Sequence, residues 1–496
     1  MLFNSIQFFL FFPIVTIIYF LLPHKFRWVH LLIASCIFYM AFIPVYILIL
    51  FFTIIIDYIA GIYIEKSEGK LRKRFLIMSI IANVGVLAVF KYYNFFIDNF
   101  NGFLHILNLS EGNLPLLKII LPIGLSFHTF QAMSYTIEVY RGEQKAERHL
   151  GIYALYVMFY PQLLAGPIER PQNMIHQFYE KKSFNYHRLV SGLKLMAWGL
   201  FKKCVIADRL SVFVDPVFGH PHDYKPVVIL IAAIFYSFQM LCDFSGYTDI
   251  AIGAARIMGF TLMKNFDRPY SSKSISEYWT RWHISLTSWF RDYVFYPLSI
   301  SLSKNKGNGA IKLYVNLFIV FLLSGLWHGA SWTFVAWGAL HGIYLIFAII
   351  SRNIRGTLNG ALGISRNKWI FDRFQVITTF SLVTIALVIF RSPTIKNAFY
   401  IWGQMFQALI DLVQRVLVHG GGMLGQNCPY PMLLIVLSFG LILFLESIHF
   451  IQSKTSISTL VGKQPLVIRW GIYYALIIAI VFGGVYGNTQ FIYFQF

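Results

Sequence analysis

About twelve long apolar runs recur along the chain, each close to the length that carries a helix through a bilayer, and nothing else in the sequence limits the fold so strongly. Roughly 20 apolar residues wound as a helix cross a hydrocarbon layer about 30 Å thick. The first run covers residues 3–22. The others lie near 28–44, 45–64, 75–98, 119–140, 190–213, 227–255, 311–326, 332–350, 375–392, 432–449 and 470–489. The charged fraction is 12% and the hydrophobic fraction 57%, against about 25% charged in an ordinary soluble domain. Too few polar side chains remain to cover a water-facing surface. The expectation is an all-α, polytopic membrane protein with about 11–12 spanning helices, and not a soluble enzyme, a fibrous chain or a disordered one.

Lys and Arg exceed Asp and Glu, 41 to 21, for a net charge of +20. The excess sits in clusters between apolar runs, where cytoplasmic loops of membrane proteins collect basic residues. It therefore reads as topology rather than as a nucleic-acid surface, and no nucleic-acid partner is expected. Clusters at Lys25/Arg27, Lys66 to Arg74 and Arg141 to Arg148 follow the first, third and fifth runs. Alternation then puts the N-terminus outside, these connections in the cytoplasm and the C-terminus outside. No basic region precedes the first run and no small-residue cleavage site follows it, so a removable leader is not expected. The stretch 151–167 has basic sequence on both sides and contains Pro161, Gly166 and Pro167. It is expected to be re-entrant, which requires protein or water around its backbone. No linker or fixed-period repeat divides the chain, so residues 1–496 are expected to form one membrane-embedded domain. Cys36, Cys204, Cys242 and Cys428 lack disulfide or metal spacing and read as free thiols.

Residues 273–296 place Ile275, Tyr278, Trp279, Trp282, Leu286, Trp289, Phe290 and Tyr293 at steps of three and four, with charged residues between them. This spacing predicts one amphipathic helix at the membrane interface. His283 would border its apolar stripe. Inside the runs, polar groups are costly and need a partner or a function. Candidates include Asp57, Asn83, His128, Asp243, Asn316, His328 and His341. Most such groups cross-link helices. His328 differs, because it lies within SGLWHGASW (residues 324–332), at a break between two runs and next to a glycine that permits close approach. An uncharged imidazole beside a narrow passage is a general base. Asp243 and Asp249 are six residues apart and point about 240° apart on a helix, so they do not read as an acid/base pair. There is no phosphate-binding glycine loop, no G-x-S-x-G and no H-E-x-x-H, and no metal site is expected.

Several stretches together resemble one family, the membrane-bound O-acyltransferases, in particular their alginate O-acetylase branch. They are residues 1–5 (MLFNS), 121–127 (LPIGLSF), 139–142 (VYRG), 160–168 (YPQLLAGPI), 243–249 (DFSGYTD), 282–286 (WHISL), 326–329 (LWHG) and 491–496 (FIYFQF), in that order. The resemblance implies helices around a central tunnel, with His328 as the essential histidine and His283 as the second. It implies a cytosolic acyl thioester such as acetyl-CoA as donor substrate, no tightly bound cofactor, and multi-pass residence among the lipids of the bacterial inner (plasma) membrane. It also implies an extracytoplasmic SGNH-type acetyltransferase or a polysaccharide export complex as partner. O-acetylation of an exported, alginate-like polysaccharide is the expected activity. D-alanyl transfer to teichoic acid from a carrier protein, or a non-enzymatic transporter, are the alternatives. The tetrahedral intermediate needs oxyanion donors, for which the Trp327 and Trp332 indoles are candidates. Asp243 and Asn316 are candidate tunnel residues, and Arg281, with Arg291 and Lys273, could hold donor phosphates.

Overall fold

The computed structural model describes residues 1–108, 114–117, 122–304, 307–361, 363, 366–418 (without the side chains of 415–418), 428–486 and 491–492. Among them all regular structure is helical. Eight helices are long and apolar enough to cross a membrane: Pro44–Lys66, Gly69–Ile106, Pro226–Met258, Gly309–His328, Trp332–Ile350, Lys368–Arg391, Met432–Gln452 and Leu466–Gly483. The protein is therefore a multi-pass membrane protein.

Four expected crossings are not among these eight helices. Ile6–Leu21 and His24–Met40 have 16 and 17 residues, about 24–26 Å of helix, and are separated by Pro23. Leu125–Arg141 has 17 residues, 13 of them buried; positions 119–121 of that expected run lie outside the described residues. The run 190–213 is interrupted by a wide, π-type turn at Phe201–Ala207, where Lys202 and Lys203 are buried. Hydropathy also passes over the 24-residue helix Ile395–Val418, which Lys396, Asn397, Gln404, Gln407 and Asp411 interrupt.

The described residues form two compact units, one from Met1–Met196 and Tyr247–Lys264, the other from Ala197–Gly246 and Asn265–Ile492. The boundary cuts through helices, so no linker composition marks it. In the first unit the stretch after residue 150 is a broken, buried path, with helix Leu150–Met158 followed by one short turn, Tyr160–Leu163. Side chains take up the backbone groups freed at the break. Ser35 Oγ accepts from Tyr160 N–H (3.0 Å), while Gln131 and Gln162 Nε2 donate to the Tyr156 carbonyl (2.5 and 2.9 Å). Irregular backbone is tolerated in such surroundings for this reason. Asp57 has the cross-linking role expected of most buried polar groups, accepting from Ser79 Oγ (2.6 Å) and Asn83 Nδ2 (2.8 and 2.9 Å) on the following helix.

In the second unit, helices Gly309–His328 and Trp332–Ile350 form a tight hairpin. Asn308 Oδ1 caps the first through Ala310 N–H (2.8 Å), and Ser331 Oγ caps the second through Thr333 N–H (3.3 Å). Gly325 and Gly338 let the two backbones touch. A β-carbon on Gly338 would run into the Phe321 carbonyl oxygen and lie 3.0 Å from Gly325 Cα. Small residues at such crossings are what permit close helix packing in lipid. Gly338→Val is therefore expected to cost at least about 1–3 kcal/mol through overpacking, read as loss of monodisperse protein on fluorescence-detected size exclusion. Unchanged recovery would show that the hairpin adjusts.

The stretch 273–296 is not one helix. It comprises Ile275–Arg281, Ile284–Phe290 and a π-type turn, Arg291–Phe295. Trp279, Trp282, Leu286, Trp289 and Phe290 are buried, so the apolar stripe faces protein. The helix breaks because Trp282 is extended and His283 is left-handed (φ 43°, ψ 54°). Periodicity alone carries straight through such a break, because two short helices on either side keep nearly the same spacing.

Candidate active site

His328 is the last residue of its helix and is followed by an extended glycine, Gly329. Its ring is 5% exposed. Three aromatic rings enclose it edge-on: Trp327 (centroids 4.9 Å apart), Trp337 (5.0 Å) and Phe390 (5.3 Å). Trp337 is reached because the hairpin folds its second helix back onto the first.

His283 is fully buried at the break between Ile275–Arg281 and Ile284–Phe290. Asn265 Oδ1 accepts from Ser285 N–H (3.1 Å) and Ser285 Oγ (2.9 Å), and lies 3.2 Å from His283 Nδ1. Ile284 N–H donates to the Asn265 carbonyl (2.9 Å). The left-handed backbone, costly for a residue with a β-carbon, is thus held by hydrogen bonds on the residues that follow it. Burial pushes the imidazole down to about 3, so the ring is neutral at physiological pH. Phe244 and Trp327 pack against it at 4.7 and 6.0 Å. The Trp327 indole lies against both histidines, which the sequence separates by 45 positions.

A third histidine joins them. His341, one turn beyond Trp337, is buried, with its ring 4.9 Å from Trp337 and 4.9 Å from Trp279; the two indoles are 5.8 Å apart. Trp279 Nε1, Trp337 Nε1 and His341 Nδ1 are buried and have no hydrogen-bond partner among the described residues. Buried indole N–H groups normally find one, so this ring cluster is unusual for a packed core. From the sequence His341 stands out only as an intramembrane polar group, and nothing singles out Trp337. What links the two is their four-residue spacing, which puts both on one helix face.

The remaining candidates are placed elsewhere. Asp243 has both oxygens engaged: Lys203 Nζ donates to Oδ1 (2.6 Å) and Ile492 N–H to Oδ2 (2.8 Å), with Asp208 also on Lys203 at 2.7 Å. It thereby ties the segments of Lys203, Asp208 and Ile492 together. Asn316 donates to the Phe295 carbonyl (3.0 Å) and lies twelve residues before His328, about 18 Å along the helix. Arg281 pairs with Glu277 at 2.6 Å. Trp332 is 55% exposed, whereas Trp327 is buried. Among the described residues no group of three or more His, Cys, Asp or Glu side chains is placed to hold a metal ion.

Residues 141–361 match the model of the membrane-bound O-acyltransferase family. The chain is 37% identical to the probable alginate O-acetylase AlgI of Pseudomonas aeruginosa, over 82% of its own length and 75% of the relative's. The chain belongs to the membrane-bound O-acyltransferase family. It is 33% identical to the peptidoglycan O-acetyltransferase of Helicobacter pylori, covering 80% of this chain and 78% of that one. It is 30% identical to the teichoic acid D-alanyltransferase of Streptococcus thermophilus over 54% of this chain and 68% of that one. The protein is an O-acyltransferase. The family window contains His283, His328, His341, Trp279, Trp327 and Trp337, so the three histidines and three indoles of the cluster in this O-acyltransferase lie inside it, whereas Phe390 lies beyond it.

Proposed function

We propose that this O-acyltransferase takes an acetyl group from a cytosolic thioester, acetyl-CoA, and delivers it toward hydroxyl groups of an exported polysaccharide from the bacterial inner membrane. In this reading His328 is the general base and His283 lies on the donor side. The observation that carries it is the His328 ring, buried at the break between two membrane-crossing helices and wrapped by Trp327, Trp337 and Phe390. A thioester carbonyl is already activated, so the remaining barrier is the weak nucleophilicity of an alcohol. The acceptor oxygen bonds to the carbonyl carbon while its proton passes to His328. Collapse then breaks the C–S bond, and the same proton leaves with the thiolate. General-base help of this kind is worth about 10²–10⁴-fold, and orientation adds more. The Trp337 indole N–H, adjacent to His328 and without a hydrogen-bond partner among the described residues, is the proposed oxyanion donor; of the indoles at 327 and 332, Trp332 is too exposed for that task.

Acetyl is favoured over D-alanyl because the acetylases match the longer stretch of chain. An SGNH-type extracytoplasmic acetyltransferase or an export complex is the proposed partner that completes delivery. The test compares exported polysaccharide from cells with and without the gene. O-acetyl groups found by mass spectrometry, lost on deletion and restored by the intact gene, are the expected result. Unchanged O-acetylation, or the loss of D-alanyl esters instead, would overturn the acetyl reading.

A further inference from the structure

Asn265 lies before the broken helix, and its side chain reaches the ring of His283. A side-chain amide oxygen has acceptor lone pairs and no proton. The atom facing His283 must be that oxygen, because Ser285 N–H, which can only donate, also bonds to it at 3.1 Å. Ser285 Oγ donates to it as well, at 2.9 Å. His283 Nδ1, 3.2 Å away, therefore carries the ring proton, and the lone pair of the neutral imidazole falls on Nε2. We propose that Asn265 is a positioning residue that fixes His283 as the Nδ1–H tautomer, making Nε2 a hydrogen-bond acceptor for an O–H or N–H of the substrates. His283 so held cannot donate to the developing oxyanion, a task left to other groups. The left-handed backbone at His283 fits the same picture, since strained residues persist where neighbouring contacts over-determine them.

The inference rests on His283 belonging to the acyl-transfer site. The rings facing it, Phe244 and Phe266 at 4.7 and 6.4 Å and Trp327 at 6.0 Å, carry no charge. The packed elements carry titratable and charged groups as well: Lys264, Asp267 and Arg268 around Asn265, Glu277, Tyr278 and Arg281 on the helix before His283, Tyr236, Cys242, Asp243, Tyr247, Asp249 and Arg256 on the helix of Phe244, and Lys312, Tyr314 and His328 on that of Trp327. Burial alone accounts for the lowered imidazole value of about 3.

Two substitutions separate positioning from mere packing. Asn265→Asp keeps an acceptor for all three donors but sets a carboxylate against Nδ1–H. An adjacent opposite charge favours the imidazolium, so Nε2 gains a proton as pH falls, at a higher pH than in the wild type. Activity should recover as pH rises, with the acidic limb of kcat moved up by at least about one unit. Asn265→Leu removes the acceptor and frees the tautomer. Its kcat should fall at least about tenfold at every pH, as partners that orient a histidine typically require. A larger KM change for acetyl-CoA or for the acceptor identifies which substrate meets Nε2. A wild-type pH profile in Asn265→Asp, or wild-type kcat in Asn265→Leu, overturns the proposal. If Asn265→Leu fails to fold, the Asn265→Asp profile still decides. His283→Ala measured alongside distinguishes the two levels. Wild-type turnover there sinks the role of His283 itself, whereas impaired His283→Ala with unaffected Asn265 variants sinks only the positioning.

Discussion

His328→Ala is expected to lower kcat for acetyl transfer about 10²–10⁴-fold while acetyl-CoA still binds to the purified protein. The direction follows from what the ring does in the proposed step. Without it the acceptor hydroxyl must lose its proton to water or to no base at all, in a site enclosed by Trp327, Trp337 and Phe390. Binding should survive because the donor's handle is distributed over the whole coenzyme. The measurement is turnover and equilibrium binding of radiolabelled acetyl-CoA on the same detergent-solubilised preparation. Normal turnover would remove His328 from the mechanism. Loss of binding together with turnover would make it a structural residue. His328→Gln, which preserves ring-sized polarity without a basic nitrogen, should be impaired as severely.

Trp337→Phe is expected to reduce kcat about 10²–10³-fold, the effect of deleting one oxyanion donor (about 2.7–4 kcal/mol). Phenylalanine keeps an aromatic ring against His328, His341, Trp279 and Phe390 and removes only the N–H and part of the ring volume. The loss should therefore fall on kcat, with the KM for acetyl-CoA nearly unchanged, because an oxyanion exists only near the transition state. Trp332→Phe, altering an exposed indole at the start of the same helix, is the natural comparison and should lie within about twofold of wild type. Equal losses in both variants would point to packing of the hairpin. No loss in Trp337→Phe would place the oxyanion donor elsewhere.

Much of the architecture is written locally. Eight of the apolar runs are helices of crossing length, and the punctuation at Asn308 and Ser331 marks the hairpin ends as caps do. Two of the departures from the hydropathy pattern share one cause. Leu125–Arg141 and the Phe201–Ala207 turn are enclosed by protein rather than lipid, and composition does not distinguish an apolar environment made of side chains from one made of acyl chains. The break at His283 was hidden for a related reason. A left-handed residue is stabilised by hydrogen bonds from Ser285 and Ile284 to Asn265, eighteen and more positions from its partners, and periodicity carries no information about them.

The sequence by itself determined that the chain lives in a membrane as helices and that His283 and His328 are the histidines to examine, because hydrophobic length and family motifs are local properties. Only the tertiary structure decided that the Trp327 indole lies against both of those rings, that Trp337 and His341 continue the cluster, and that Asn265 sets which nitrogen of His283 bears the proton. These depend on the close glycine contact of two helices and on a turn held from a distance, and contacts of that kind exist only once the backbone is folded.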